Sequence, residues 1–388
     1  MRKAVIVSAV RSAVGKYAGQ WSSIEPYKFG ALFIREAVKR AGIDPNEIED
    51  VVMGNLYGQH GNIARVTALE AGLPMTCGAV SVDRQCGSSI QTINDASLNI
   101  IAGNGDVYVA CGLEHMTLEP WQYEKTITPY QRLGPNFMNT RLTPDNYGND
   151  RMGATAEKVA AMYGLTRQEL DEYAYNSHKK AAKAIKEGYF DEQILPVEVS
   201  VKGKAAMINR DEVVRPNITL EDLAKLKPAF REDGVVTAGN SCPWSDGASA
   251  LVIMSDERAA ALGLKSLGTI RSFAVAGLDP SIMGLGPIHA VPKALKRAGI
   301  TVGDLGCVEL NEAFAAQVIP CMRELGIPEE KLNPNGGGIS LGHPLGATGA
   351  VLTTKLVYEM QRRNLRYGLV TMCIGGGQGA ALVIENEA

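Results

Sequence analysis

The heptapeptide Ala37-Val38-Lys39-Arg40-Ala41-Gly42-Ile43 returns 257 residues later as Ala294-Leu295-Lys296-Arg297-Ala298-Gly299-Ile300. No other feature of the chain restricts its possible folds as strongly. The register continues through Glu47-Ile48 against Asp304-Leu305 and into the apolar runs that begin at Val51 and Val308. Each copy reads as an amphipathic helix ended by glycine, a short polar turn and a buried strand. Duplication at this spacing predicts two similar α/β lobes packed against each other. Chance would account for seven common helix residues, but not for the strand that keeps register behind them.

The same offset carries Cys86 onto His343. With a small slip, Asp106-Val107-Tyr108-Val109-Ala110-Cys111 matches Tyr367-Gly368-Leu369-Val370-Thr371-Met372-Cys373. Chemical groups thus come from equivalent corners of both lobes, which predicts a site at their junction. Between the lobes the character changes. Pro, Asn, Tyr and charged residues dominate 117–150, with Trp121, Tyr123, Tyr130 and Tyr147 interspersed. Two helix patterns follow, Thr155–Tyr163 and Arg167–Glu187, then a basic stretch with Lys202, Lys204, Arg210, Arg215, Lys225, Lys227 and Arg231. This reads as an inserted loop or lid domain. The expected units are 1–116 with 245–266, the insert 117–244, and 267–388.

The bulk numbers exclude several classes. Hydrophobic residues make up 45% and charged residues 21% of the 388, with a net charge of -3, so nucleic acid is not an expected partner. No apolar stretch approaches the roughly 20 residues of a membrane span. The opening run Lys3–Val10 reads as a strand, not as a charged leader, and the C-terminus is no peroxisomal address. Seven cysteines, none in Cys-x-x-Cys spacing, argue for reduced thiols and a cytoplasmic protein.

Four segments carry chemistry. Gln85-Cys86-Gly87-Ser88-Ser89 sets a thiol at a glycine turn. Asn311-Glu312-Ala313-Phe314 offers an amide, Gly342-His343-Pro344 an imidazole, and Cys373-Ile374-Gly375-Gly376-Gly377 a second thiol. Carbon–carbon bond chemistry on thioesters needs such a set: one thiol carries an acyl group while the other moves a proton. The helix pattern Ser88–Ile101 places Cys86 near the positive end of a helix dipole, which predicts a lowered thiol pKa. Cys77 and Cys111 read as structural, and the histidines other than His343 (His60, His115, His178, His289) as core residues.

Together with Met152-Gly153-Ala154-Thr155-Ala156-Glu157 and Val236-Thr237-Ala238-Gly239-Asn240, these segments resemble the thiolase family over essentially the whole chain. The resemblance implies a duplicated five-layered α-β-α-β-α fold with an inserted loop domain. It implies an acetyl-CoA C-acyltransferase in which Cys86 is acylated, His343 takes its proton, and Cys373 serves as acid and base. A thiol near its usual pKa of about 8.5 suits that last task. The Cys86 and Gly375 amides would be the oxyanion donors, and Asn311 would hold a water. Met152, Phe230, Met283 and Phe314 would line the acyl and pantetheine pocket. Cys242 would meet CoA, with Arg215 near its nucleotide end.

No cofactor is implied, CoA thioesters being substrates. Family members are dimers or tetramers, so a homodimer or homotetramer is expected. Departures bear on substrate choice. Arg151 stands where short-chain members usually carry histidine, Cys242 stands at a Ser-like position, Asp222 replaces a serine by the adenosine, and Trp244 is expected to add bulk beside the tunnel. Acetoacetyl-CoA is the expected substrate, with longer 3-ketoacyl-CoAs as the alternative. A decarboxylating β-ketoacyl synthase would lack Cys373, and an inactive CoA-binding paralogue would have no need of four intact catalytic positions.

Overall fold

The computed structural model describes residues 2–58, 60–127, 134–138, 140–201 and 203–387. Tyr130 and Lys202 of the insert lie outside the described residues. The first half runs β1 (Ala4–Arg11), β2 (Gly15–Lys16), α1 (Pro26–Ala41), β3 (Asp50–Gly54), α2 (Ile63–Glu70), β4 (Gly78–Val82), α3 (Ser88–Ala102) and β5 (Val107–His115). The insert holds α4 (Met152–Met162), α5 (Arg167–Lys186), a hairpin of β6 (Val197–Val201) and β7 (Lys204–Ile208), and α6 (Leu220–Ala224). The chain returns to the first lobe as β8 (Ser245–Ser255) and α7 (Asp256–Ala261). The second half runs β9 (Gly268–Gly277), α8 (Gly286–Ala298), β10 (Leu305–Leu310), α9 (Ala315–Leu325), α10 (Gly338–Leu341), α11 (Thr348–Arg363), β11 (Tyr367–Ile374) and β12 (Gln378–Glu385).

The repeat is visible in three dimensions. The two heptapeptides end α1 and α8, and each helix stops at a glycine in the left-handed region, Gly42 at φ 65° and Gly299 at φ 73°. Only glycine takes that conformation at little cost. The strands follow the order β10-β11-β12-β9-β1-β8-β5-β3-β4. The two half-sheets join where β1 and β9 pair antiparallel, at Val5 with Thr269 and Ile6 with Gly268. In both halves a parallel pair (β3 with β5, β10 with β11) is followed by an antiparallel neighbour (β8, β12). Where β4 completes the first half, the second has a single parallel bridge, Val308 to Leu332.

Alternation along the strands sets the layers. In β8, Ala250, Val252 and Met254 pack outward with Phe29 and Phe33 of α1, whereas Leu251 and Ile253 join Ile90, Ile93 and Ile100 of α3. In β12, Leu382 and Ile384 enter that same inner cluster with Leu356 and Met360 of α11. Ala381 and Val383 face out to Val291 and Leu295 of α8. Both faces of each half-sheet are thus covered, which explains the near-continuous apolar strands. The result is five layers, α-β-α-β-α, with α3 and α11 in the middle, as expected for the duplicated thiolase fold.

The insert is fastened to the first lobe by a buried pair. Arg11 reaches the Asp211 carboxylate through Nη1 at 2.8 Å and Nη2 at 3.0 Å. Its aromatic stretch forms a ladder: Glu124 N donates to Asn136 O and Met138 N to Gln122 O, both at 2.9 Å, and Tyr123 stacks on Phe137. The predicted insert helices are α4 and α5. No helix among the described residues is long and apolar enough to cross a membrane.

Candidate active site

Cys86 sits on a tight turn between β4 and α3. Asp83 Oδ1 accepts from Gln85 N at 2.7 Å, and Ser88 Oγ donates to Gln85 O at 2.6 Å while accepting from Arg84 N at 2.9 Å. These bonds hold Gln85 at φ 48°, a conformation that side chains other than Gly, Asn and Asp seldom adopt. Gly87 follows because a Cβ there would lie 2.4 Å from Ile374 Cδ1 of the second lobe. Two backbone N–H groups, from Gly375 and from Cys86 itself, interact with the Cys86 sulfur. Gly376 and Gly377, at φ 81° and 82°, complete the turn that brings the Gly375 amide there.

The second lobe supplies the imidazole. His343 Nδ1 lies 2.6 Å from Thr348 Oγ1, and that hydroxyl donates to Pro344 O at 2.8 Å. With its proton so directed, the hydroxyl must accept from Nδ1–H. Nε2 is then the unprotonated nitrogen, and Asn311 Nδ2 donates to it at 3.2 Å. Asn311 Oδ1 is buried without a hydrogen-bond partner among the described residues. Glu312 fixes this segment: its carboxylate accepts from Tyr173, Ser177, Asn333 Nδ2 and the N–H of Ile339, at 2.6 to 3.2 Å.

The electrostatics differ from the sequence expectation. As a residue Cys86 stays half-buried. Desolvation nevertheless pushes the thiol up to about 11, against the pull of the two N–H groups. The helix end does not overcome burial, and the resting group is a thiol. Cys373, at the end of β11, is buried, and desolvation together with the sulfurs of Cys86, Cys321 and Cys242 holds its pKa well above the ordinary value, not near it. Burial lowers His343 to about 4, so its ring is neutral at pH 7. Two thiols and a neutral imidazole are therefore the resting forms of these three groups.

Most predicted pocket residues converge. Met283, Phe314 and Cys373 belong to one apolar cluster, with Met152 and Cys242 packed against it. Phe230, 41% exposed, meets Phe314 edge-on with ring centres 6.0 Å apart. Gly153 is required beneath it, since a Cβ there would lie 2.1 Å from Phe230 Cδ1. The family-like segments lock together: Glu157 accepts from Val235 N and Val236 N, Ala315 N donates to Asn240 O, and Cys242 N to Ala313 O. Arg215 borders an open cleft with Ile218, Asp222, Leu223 and Leu226, three of which also join the apolar cluster. Asp222 caps α6 through Thr219.

Trp244, expected to add bulk beside the tunnel, is 66% exposed, meets Tyr17 edge-on at 5.6 Å, and lines a surface cleft with Trp121 and Phe137. Among the other histidines His115 and His178 are buried as expected, whereas His60 and His289 are exposed. Sequence reasoning missed Thr348, the partner of His343, and Leu142, whose Cδ1 lies 3.3 Å from where a Gly375 Cβ would be. Thr348 stands within the glycine-rich segment that contains His343; nothing in the sequence marked Leu142.

A duplicated α/β scaffold that gathers two thiols, an imidazole and an amide between its lobes is that of an acyltransferase working on thioesters. Comparison with known proteins gives the family. The profile of the thiolase N-terminal domain matches residues 4–257 and that of the thiolase C-terminal domain residues 264–386. The chain belongs to the thiolase family. It is 46% identical to a 3-ketoacyl-CoA thiolase of Bacillus subtilis, over 99% of this chain and 100% of that protein. The crystal structure of the Bacillus anthracis acetyl-CoA acetyltransferase superposes with a TM-score of 0.93 at 40% identity, covering 99% of each chain. Human mitochondrial 3-ketoacyl-CoA thiolase gives 0.94 at 35%, covering 100% of this chain and 99% of that one.

Proposed function

We propose that this acyltransferase works in two half-reactions through an acyl group on Cys86. His343 Nε2 takes the Cys86 proton as the sulfur attacks the thioester carbonyl, and the Cys86 and Gly375 N–H groups meet the developing oxyanion. CoA departs with the proton of Cys373, leaving that sulfur ionised. Because burial makes its pKa so high, it is then a strong base toward the α-proton of acetyl-CoA. The enolate oxygen faces the His343 imidazolium and a water held by Asn311 Oδ1. Attack on the acyl group releases Cys86, which recovers its proton from His343. Thiolysis is the reverse. CoA enters as substrate, no bound cofactor takes part, and the Arg215 cleft receives its nucleotide end.

The observation that carries this reading is the Asn311–His343–Thr348 chain, which leaves one basic nitrogen in the site. Intact-protein mass spectrometry after mixing with acetyl-CoA should show one acetyl group, mapped to Cys86. A label elsewhere, or none, would sink the assignment.

Relatives bear both short- and long-chain names, so chain length is a separate proposal. Leu142 Cδ1 and Met152 Sδ lie 3.3 and 3.6 Å from the Cβ position of Gly375, a close cover that favours short acyl groups. Acetoacetyl-CoA should be cleaved in preference to eight-carbon 3-ketoacyl-CoA. Each buried methylene is worth about 0.8 kcal/mol, so kcat/KM rising steadily along a chain-length series would make this a degradative 3-ketoacyl-CoA thiolase instead. The protein is further proposed to be a cytoplasmic homodimer or homotetramer. The exposed edge of β4 and the aromatic insert around Trp121 and Phe137 support that assembly.

A further inference from the structure

Behind the Cys86 turn, glycines let loops of the two lobes touch. A Cβ on Gly54 would lie 2.5 Å from Ser89 N and 2.6 Å from Gly346 O. One on Gly112 would lie 2.6 Å from the Cα of Ala347, and one on Gly349 2.3 Å from the backbone nitrogen of Ile90. The turn between His343 and Thr348 is therefore seated directly on the first turn of α3. Ala350 N donates across this junction to Ser89 Oγ at 3.0 Å.

One carboxylate is enclosed at the same contact. Glu114, fully buried near the end of β5, accepts four hydrogen bonds. Oε1 takes Asn55 Nδ2 and Tyr57 N, each at 3.2 Å, and Oε2 takes Leu56 N at 3.3 Å and Gly346 N at 2.8 Å. The shortest of the four is the bond that crosses to the second lobe. Gly346 has no room for a side chain there, its Cβ position being 2.9 Å from Glu114 Oε2. Burial raises the Glu114 pKa to about 8 against the pull of the N–H groups of Gly346, Tyr57 and Leu56. Asn55 Nδ2 is a fourth donor, so that all four contacts favour the ionised form. A carboxylate at this depth is a costly way merely to fill space. What it provides is four acceptor sites in a fixed plane, shared between the loop at 55–57 and the turn that carries Thr348.

We propose that Glu114 is a positioning residue for acyl transfer, holding through the Gly346 N–H the turn that sets His343 and Thr348 against the Cys86 segment. The inference rests on the roles proposed above for Cys86 and His343. Glu114 makes no hydrogen bond to Cys86, His343 or Cys373. Its positioning effect runs through the Thr348 hydroxyl and thus through the tautomer and angle of the imidazole, while its charge also bears through space on the Cys86 thiol, which it raises.

The test is Glu114→Gln, which keeps shape but turns an NH2 toward one of the two donor pairs. Single-turnover acetylation of Cys86 and steady-state kcat should fall on the order of 100-fold, the cost of a small misplacement of reacting groups. KM should stay near wild type, while the thermal midpoint falls somewhat because one pair of buried N–H donors loses its acceptor. Combined with Thr348→Val, the double variant should be no slower than the slower single variant, because both act through one ring. Losses that multiply independently, or a lowered midpoint with kcat per folded molecule unchanged, would overturn the proposal. Should Glu114→Gln not fold, Glu114→Asp, which keeps the carboxylate but draws its oxygens back from the Gly346 N–H by one methylene, must give the same split between kcat and KM. His343→Ala is the control: wild-type acetylation there would refute the roles of Cys86 and His343 themselves, whatever Glu114 does.

Discussion

Cys86 and Cys373 are the same residue type in different surroundings, and the difference divides their work. Cys86 is half-buried and touched by two backbone N–H groups, while Cys373 is enclosed among apolar side chains and other sulfurs. Acylation as proposed needs Cys86, His343, the amide donors and a proton for the departing CoA, which solvent can supply in place of Cys373. Proton abstraction from acetyl-CoA needs the Cys373 sulfur itself. Cys373→Ser should therefore still take up an acetyl group on Cys86 but lose exchange of acetyl-CoA methyl protons with deuterated water. Exchange that persists in this variant would place the base elsewhere. The identity of both thiols was legible in the sequence, because glycines and an amide-bearing segment surround them. Their pKa values were not: a helix start is a local pattern, whereas desolvation comes from residues far apart in the chain, and here it is the larger effect. The exposure of Trp244 was not legible for the same reason, since nothing local says whether an indole is enclosed or turned toward Tyr17.

β4 ends the ten-stranded sheet, no strand among the described residues pairs with its outer edge, and its sequence Gly78-Ala79-Val80-Ser81-Val82 carries no charge or proline to discourage pairing. Val80 is 42% exposed, and nearby Met75 is 87% exposed. An edge of this kind is suited to a second copy of the chain. Light scattering at micromolar concentration should give at least a dimer, and Val80→Lys should shift the mass toward the monomer. A monomeric wild type would contradict the assembly proposal. The lobes and their helices were readable because the repeat preserved both helix periodicity and glycine stops. The contrast between a full β4 and a single bridge at Leu332 was not readable, as the two copies diverge in sequence there.

For the molecule as a whole, acid bears on two buried rings. His178 and His343 are both lowered from 6.5 to about 4, chiefly by desolvation, with Arg215 adding to the effect on His178. At these two rings the unfolded chain binds more protons between those limits. Their contribution to stability is thus complete above pH 6.5 and is lost as pH falls toward 4, on the order of 3 kcal/mol per histidine. Glu114, Glu309 and Asp246, raised by burial, act in the opposite sense. Between pH 7 and pH 4.5 the urea midpoint of the wild type should therefore fall more steeply, or rise less, than that of His178→Gln; equal slopes would show that the His178 ring is not held neutral. A different constraint follows from the position of β8, which lies between β1 and β5 although the entire insert separates it from them in sequence. On the ribosome, the first lobe emerges with a gap at its centre, and β1 and β5 must wait as open edges until residues 245–255 are made. The second lobe suffers no such delay, since β9 to β12 emerge without a comparable interruption. The lobe that is synthesised first is therefore not the one that can finish on its own schedule, and a nascent chain stalled within the insert is the state in which this protein most needs a chaperone.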